Sequence, residues 1–136
     1  MRNSKLGKGQ KMIRSFKLSE GKGKCTIEAI IVNCGNDLSV TIGGGEKYHI
    51  GAVAVSVPRH EYKDGKKRTA STSVICVQGH REDELTYKAA KMLATALDCT
   101  VTVSMGAHID NIAQDEFHEI INNINILLDR IIENAK

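Results

Sequence analysis

Histidines that stand beside glycines are the residues of this chain that could do chemistry. The first group is Gly43-Gly44-Gly45-Glu46-Lys47-Tyr48-His49-Ile50-Gly51. Three successive glycines add no side chain to a core but allow a ligand to approach backbone N–H groups closely. Lys47 supplies a cation, and His49 supplies a donor or acceptor that changes with pH. We therefore expect a ligand-binding loop here, suited to a phosphate-bearing ligand. A glycine-rich hairpin without a ligand is the alternative, because the spacing fits neither standard phosphate-binding motif.

Gly51 and two further strand ends extend this candidate site. A glycine inside an apolar strand, such as Gly51, marks a bulge or a close approach of backbone or ligand. The segment Ser104 to Asn111 runs from a strand into a helix and carries His108, Asp110 and Asn111, where an anion would be favoured. Gln78 to Asp83, with His80, repeats this pattern. These ends form one polar pocket if they converge at an edge of the sheet. Local helix capping is the alternative.

The same residues argue against a catalytic or metal site. No two histidines are spaced as metal ligands on one helix face or one strand face. Neither Cys76 nor Ser104 has a base nearby in sequence that would activate it. We therefore expect a binding or accessory protein rather than an enzyme, with no catalytic residue and no metal.

The elements that must position these residues follow from hydrophobic periodicity. Alternation with a period of two predicts strands near residues 12–18, 25–33, 38–42, 50–57, 69–77 and 99–105. The strand at 50–57 is apolar on both sides, so we expect it to be central and covered on both faces. A spacing of 3.6 residues predicts helices at 85–97 and 113–133. The fold class is α+β: an antiparallel sheet of five to six strands, as a β-meander, then helix, strand, helix, with both helices on one face.

The final helix carries a broad apolar stripe. Its predicted members are Phe117, Ile120, Ile121, Ile124, Leu128, Ile131 and Ile132. Asn111 and Gln114 have the spacing of a capping box at its start. A stripe of this width favours packing against a second subunit as well as the chain's own sheet, which predicts a homodimer. A deeply buried helix in a monomer is the alternative.

Length and charge indicate a single domain with a basic arm. We assign residues 1–11 to a basic flexible arm and 12–136 to one α+β domain. Residues 1–24 hold eight Lys or Arg and one Glu, whereas the rest of the chain carries a net charge of −4. Aromatic residues make up only 4% of the chain, too few for a platform that stacks single-stranded nucleic acid. The sequence has no apolar run long enough for a membrane span, no signal peptide and no paired cysteines, which favours the cytoplasm.

Two motifs resemble a known family. The pattern Gly44-Gly45-x-x-x-His49-Ile50-Gly51 after an apolar strand, and Gly106-x-His108-Ile109-Asp110-Asn111-Ile112 before the last helix, are similar to those of the prenylated-flavin chaperone LpdD-like family. The resemblance covers residues 25–134, and His80 to Glu84 also fits the entry to its first helix. It does not extend to the basic arm or to the Lys-rich turn at 63–68.

The resemblance implies a fold related to proteasome-assembly chaperones and an accessory role. That role would be to hold prenylated FMN, or FMN, in support of a UbiD-type decarboxylase. The alternative is an assembly chaperone or interaction scaffold with no small ligand. Carried over residue by residue, the family motifs imply that Gly44, Gly45, His49 and Gly51 line the ligand loop and that His108, Asp110 and Asn111 close it. With the cation of Lys47, expected above from its residue type, these form the predicted cofactor-binding set.

Overall fold

The computed structural model describes residues 12–60, 68–77 and 82–135. Within these ranges six strands and two α-helices follow one another. They are β1 (Ile13–Glu20), β2 (Ile27–Cys34), β3 (Asp37–Gly45), β4 (Lys47–Arg59), β5 (Thr69–Cys76), α1 (Asp83–Leu97), β6 (Val101–His108) and α2 (Gln114–Ala135). A 3-10 turn, η1 (Gly23–Cys25), connects β1 to β2. The predicted elements are present. Every strand except β5 continues past its predicted end, and β5 ends one residue before it.

The six strands form one mixed sheet in the order β1-β2-β3-β6-β4-β5. The α+β class and the mostly antiparallel sheet are confirmed, and β1 lies at an edge as predicted. The strand order differs from a continuous meander, because β6 is inserted between β3 and β4. It pairs parallel to β3 and antiparallel to β4. Such a pairing between distant segments has no local signal in the sequence.

Both helices pack on one face of the sheet, as predicted. α1 lies over β4, β5 and β6, whereas α2 lies over β1 and β2. Small side chains of α1, among them Ala89, Ala90 and Ala94, allow it to approach the sheet closely. Alternate residues of β2, β3 and β6 face the helices and are buried, which is the expected pattern for a sheet with one covered face.

The other face of the sheet is not covered by any described part of the chain. On β4 the side chains of Ala52, Ala54 and Ser56 are buried, but those of Val53 and Val55 are 39% and 40% exposed. The prediction that β4 is covered on both faces is therefore wrong for the single chain. The reason is that both helices occupy the same face, which leaves the opposite apolar residues of β4 uncovered.

The final helix differs from its predicted pattern at its start. Ile120, Ile124, Leu128 and Ile131 are buried as predicted, and so is Leu127, which was expected beside the stripe and widening it; Phe117 is 48% exposed. The predicted capping box of Asn111 and Gln114 is replaced by a capping hydrogen bond between Ala113 and Glu116. The Ala113 N–H donates to Glu116 Oε1 at 2.9 Å, while Asn111 has a positive φ of 50°.

Candidate functional site

The glycine segment is the end of a strand, not a loop. Gly43 to Gly45 are the last residues of β3; all three pair with β6, and Gly43 and Gly44 also pair with β2. The N–H of Gly45 donates to the Thr26 carbonyl at 3.1 Å, and the N–H of Glu46 donates to the His108 carbonyl at 2.7 Å. Because these amides are already bonded, the predicted loop with free N–H groups for an anion is not formed at Gly45 and Glu46.

The two segments singled out from the sequence do meet in space. In the parallel pairing of β3 with β6, Gly43 lies opposite Gly106 and Gly45 lies opposite His108. Beyond the strands, the Asp110 N–H donates to Glu46 Oε1 at 3.0 Å. The segments therefore form one end of the sheet, where both α-helices also begin.

Two glycines at this end make room for side chains of the site. A Cβ at Gly106 would collide with the backbone carbonyl of His49, and a Cβ at Gly51 would collide with the carboxylate of Glu82. The pairing of β4 with β6 is also irregular between Tyr48 and Ala52, as the predicted bulge requires. The role of these glycines is therefore to allow close approach of protein groups.

His49 and Glu82 form the partly buried polar centre of the site. His49 Nε2 lies 3.1 Å from Glu82 Oε2, and the two side chains are 20% and 15% exposed. The N–H of Ala107 contacts the same carboxylate oxygen at 3.4 Å. Glu82 joins β4, β6 and the start of α1. It was not among the predicted binding residues, although it lies in the third segment noted in the sequence.

His108 provides a second imidazole beside the first. The His49 and His108 rings are 6.3 Å apart, centroid to centroid, in an edge-to-face arrangement. His108 Nε2 lies 2.8 Å from Asp110 Oδ1, and both side chains are largely exposed. His108 and Asp110 therefore face solvent, whereas His49 is mostly buried.

A cavity of about 360 Å³ opens next to these histidines, between the starts of the two helices. Its polar end is formed by His49, Glu82 and His108. The rest of its wall is mostly apolar: Leu85, Met105, Ala107, Ile109, Ile112, Phe117, Ile120, Ile121 and Ile124. The half-exposed Phe117 is explained by this position. The arrangement suits a ligand with a broad apolar body and a few hydrogen-bonding atoms.

The predicted site residues take different positions relative to the cavity. His49 and His108 line it, and Gly51 lies behind Glu82. Lys47 pairs in register with His108, so its backbone is adjacent to the cavity. The remaining predicted residues surround this end without lining the cavity: Gly44, Gly45, Asp110 and Asn111. The third predicted histidine, His80, lies outside the described residues.

Carboxylates occupy the first turn of each helix at this end: Asp83 and Glu84 in α1, Asp115 and Glu116 in α2. The N–H of Ala113 and the Lys24 ammonium, 2.9 Å away, hold the pKa of Glu116 below its ordinary value. Because these acids already complement the helix dipoles, an anionic ligand group would depend on Lys47 and the histidines rather than on the helix starts.

A second groove, of about 340 Å³, lies on the uncovered face of the sheet at the same end. The ring of Tyr48 lies over Gly43, where a Cβ would not fit. Burial and a hydrogen bond with Glu28 raise the pKa of Tyr48. His49 lines both this groove and the cavity on the helix side, so it contacts both faces of the sheet.

Two negative observations concern the described residues alone. No three His, Cys, Asp or Glu side chains lie together there as metal ligands would. Neither α1 nor α2 is long and apolar enough to cross a membrane.

Comparisons with known proteins bear on this fold and site. A family model described as the prenylated flavin chaperone LpdD-like domain matches residues 21–136. No curated protein sequence matches the chain. Among solved structures, the chain is similar to one in the crystal structure of a chaperone complex for yeast 20S proteasome assembly, with a TM-score of 0.56 and 8% sequence identity. That match covers 89% of this chain and 93% of the other, and at this identity it establishes the fold alone.

Proposed function

Because the chain belongs to the prenylated flavin chaperone LpdD-like family, we propose that it holds prenylated FMN, or FMN, in the cavity beside His49 and His108. A chaperone-type protein of this kind would support a UbiD-type decarboxylase by keeping the cofactor bound and protected from solvent. The observation that carries the proposal is the cavity itself, which is apolar along α2 and polar at the His49–Glu82 pair.

The residues of the cavity fit the chemistry of such a cofactor. A flavin ring with an added prenyl group is broad and apolar on its faces, which suits the isoleucines of α2. The nitrogen and oxygen atoms on its edge need donors and acceptors, which His49 and His108 can provide. A volume of about 360 Å³ is at the lower end of the range for small-molecule sites. The phosphate would therefore lie at the opening, where Lys47 is the cation closest in register to His108.

A fluorescence titration tests this proposal. Purified protein is titrated into FMN, and separately into prenylated FMN, and quenching or enhancement of the flavin emission gives Kd. We expect His49→Gln and Ile121→Glu to raise Kd at least about tenfold, since the first alters the polar end and the second places a charge on the apolar wall. The absence of binding of either flavin at millimolar concentration would contradict the proposal.

His60→Ala is the matched control for these variants. His60 also pairs with a carboxylate, that of Asp98 at 2.6 Å, but it lies at the end of β4 that is remote from the cavity. Its loss should leave flavin binding unchanged. Circular dichroism spectra of all variants establish that each is folded.

A second candidate function is favoured by the uncovered apolar face of the sheet. In this alternative the chain is an assembly chaperone or interaction scaffold that binds a protein through that face and holds no small ligand. It predicts that the chain co-purifies with a larger protein and that flavins neither bind to it nor raise its Tm.

The compartment and the oligomeric state are part of the same proposal. We place the chain in the cytoplasm, where its four cysteines, all within the described ranges, need no disulfide bonds and form none. We also propose that it acts as a homodimer. The final helix, from which the homodimer was predicted, packs on the chain's own sheet and lines the cavity.

A further inference from the structure

The face of the sheet opposite the helices, here called the open face, concentrates the exposed apolar side chains. Of the thirteen large hydrophobic residues that are exposed within the described ranges, eight lie on it: Ile13, Ile30, Tyr48, Ile50, Val53, Val55, Val57 and Ile75. An antiparallel sheet that faces water normally carries polar side chains on that side. Such a concentration of exposed apolar side chains on one face marks an interaction site.

The centre of the open face carries short, uncharged side chains. Along one row of the sheet, Ile30 aligns with Thr41, Thr41 with Ser104, and Ser104 with Val53. The next row of outward-facing residues has the same character: Val32, Ser39, Thr102, Val55 and Ser73. Short hydroxyl side chains in the middle with branched apolar ones on both sides allow a second sheet to approach to about 10 Å.

Charged residues of the open face lie at its margins. Lys17 is on the edge strand β1, Glu28 is near one end of β2, Asp37 begins β3 and Arg59 ends β4. A partner with charges at its centre would lose their hydration there without gaining opposite charges. A surface that is itself neutral at the centre and charged only at the rim avoids this loss, and the open face of a second copy is such a surface.

The size of the open face suits a stable dimer. Six strands spaced about 4.8 Å apart, each about eight residues long at about 3.3 Å per residue, give a face of roughly 600 Å². Two copies stacked face to face would bury roughly 1,200 Å² in total, which reaches the lower end of the range for specific interfaces.

We propose that the open face is the interface of a homodimer, in which the sheets of two copies stack against each other with the helices and cavities on the outside. The same patch on both subunits forms a two-fold, self-complementary contact. Tyr48, and with it the groove over Gly43, would be covered by the partner copy. The proposal takes up the homodimer named above and assigns its surface; it does not depend on flavin binding.

The test is the molar mass in solution, measured by light scattering and sedimentation equilibrium across a range of protein concentrations. We expect the unchanged protein to have twice the mass of one chain. Val55→Glu should weaken the dimer about a hundredfold or more, because it buries an unpaired charge at the centre of the interface. Ile126→Glu places the same charge on the outer side of α2 and should leave the dimer intact.

A second variant separates a weaker interface from a folding defect. Val53→Thr, Val55→Thr and Val57→Thr together keep the shape and the strand propensity of β4 while they remove apolar surface, so the monomer should fold and the dimer should weaken. A monomer at high concentration in the unchanged protein would overturn the proposal. So would a dimer that survives both sets of substitutions, because its interface would then lie elsewhere. Loss of flavin binding leaves these masses unaffected, so the two proposals fail separately.

Discussion

At the scale of single residues, the glycines of this site act through the protein groups that lie against them. Gly106 borders the backbone of His49, and Gly51 borders the carboxylate of Glu82. The two obstacles differ in kind. A backbone carbonyl cannot move without the strand, whereas a carboxylate at the end of a flexible side chain can shift. This difference leads to a prediction that separates the two positions.

We expect Gly106→Ala to lower the free energy of unfolding by about 1–3 kcal/mol, as overpacking does, and Gly51→Ala to cost less, because the Glu82 carboxylate can shift. In a Glu82→Ala background the cost of Gly51→Ala should fall, because the obstructing carboxylate is gone, with a coupling energy of about 0.5–3 kcal/mol. The cost of Gly106→Ala should not fall in the same way. Urea unfolding of the single and double variants measures both cycles. Equal costs of Gly51→Ala with and without Glu82 would refute this account of Gly51.

Gly43 to Gly45 were predicted to offer amides to a phosphate, but β3 continues through them. The pairing with β2 follows the predicted meander, whereas the pairing with β6 could not be aligned from the sequence alone. The prediction that Gly44 and Gly45 contact a cofactor stays untested. In the proposed binding mode the polar contacts come from His49 and His108 instead.

At the scale of elements, α2 has two functions along its length. Its first turns line the cavity through Phe117 and Ile121, and its later turns pack on β1 and β2. The transition explains why the apolar stripe is wider than one packed face requires. Leu127 and Ile126 are adjacent in sequence, but Leu127 is buried and Ile126 is partly exposed.

We expect Leu127→Ala to lower the free energy of unfolding by about 2–5 kcal/mol, because Leu127 is fully buried and its loss leaves a cavity. Ile126→Ala removes a side chain that is 36% exposed and should cost far less. Urea unfolding of the two variants compares neighbouring positions of the same helix. A larger loss for Ile126→Ala would mean that the helix faces the sheet through a different side.

The start of α2 should be sensitive to acid through Glu116. Its folded pKa lies below the ordinary 4.5, chiefly because the Ala113 N–H donates to the carboxylate and also because Lys24 is close. The contribution to stability is therefore present above about pH 4.5 and is lost as the pH falls through the lower, folded pKa.

Urea unfolding between pH 7 and pH 3 checks this expectation. Glu116→Gln should make the loss of stability on acidification shallower, because one proton-linked contact is gone. Lys24→Met removes only the second cause of the pKa shift, so its acid dependence should lie between those of the unchanged protein and Glu116→Gln. An acid dependence that Glu116→Gln leaves unaltered would contradict the role given to this carboxylate.

At the scale of the whole molecule, the sheet separates the cavity from the open face. The helices cover the cavity side, and the proposed dimer uses the other side. His49 is a residue that reaches both, through the cavity and through the groove under Tyr48. Apart from this point, binding at one face should be independent of association at the other.

We therefore expect FMN or prenylated FMN to raise the Tm of the unchanged protein and of Val55→Glu by similar amounts. At a free flavin concentration of a hundred times Kd, linkage predicts about 2.7 kcal/mol of added stability. Thermal unfolding with and without flavin measures the effect, with Ile121→Glu as the variant that should lose it. A flavin effect that disappears in Val55→Glu would place the binding site on the open face.

The sequence by itself determined which segments are strands and which are helices, and that both helices lie on one face of the sheet. It also identified the two glycine–histidine segments of the site. The spacing of apolar residues, every two or every 3.6 positions, reflects which side chains of a segment are buried. It can therefore be read from that segment without knowledge of the rest of the chain. The period cannot tell whether an apolar face is covered by the same chain. For that reason β4 was predicted to be buried on both sides, although its outer valines are exposed.

Only the tertiary structure decided which segments meet. The insertion of β6 between β3 and β4 places Gly106 against His49 and brings His108 to the end of the glycine strand. It also sets Glu82, which lies 33 residues after His49, beside that histidine. Contacts over such distances depend on strand order, and strand order is a property of the packed sheet rather than of any local stretch of residues.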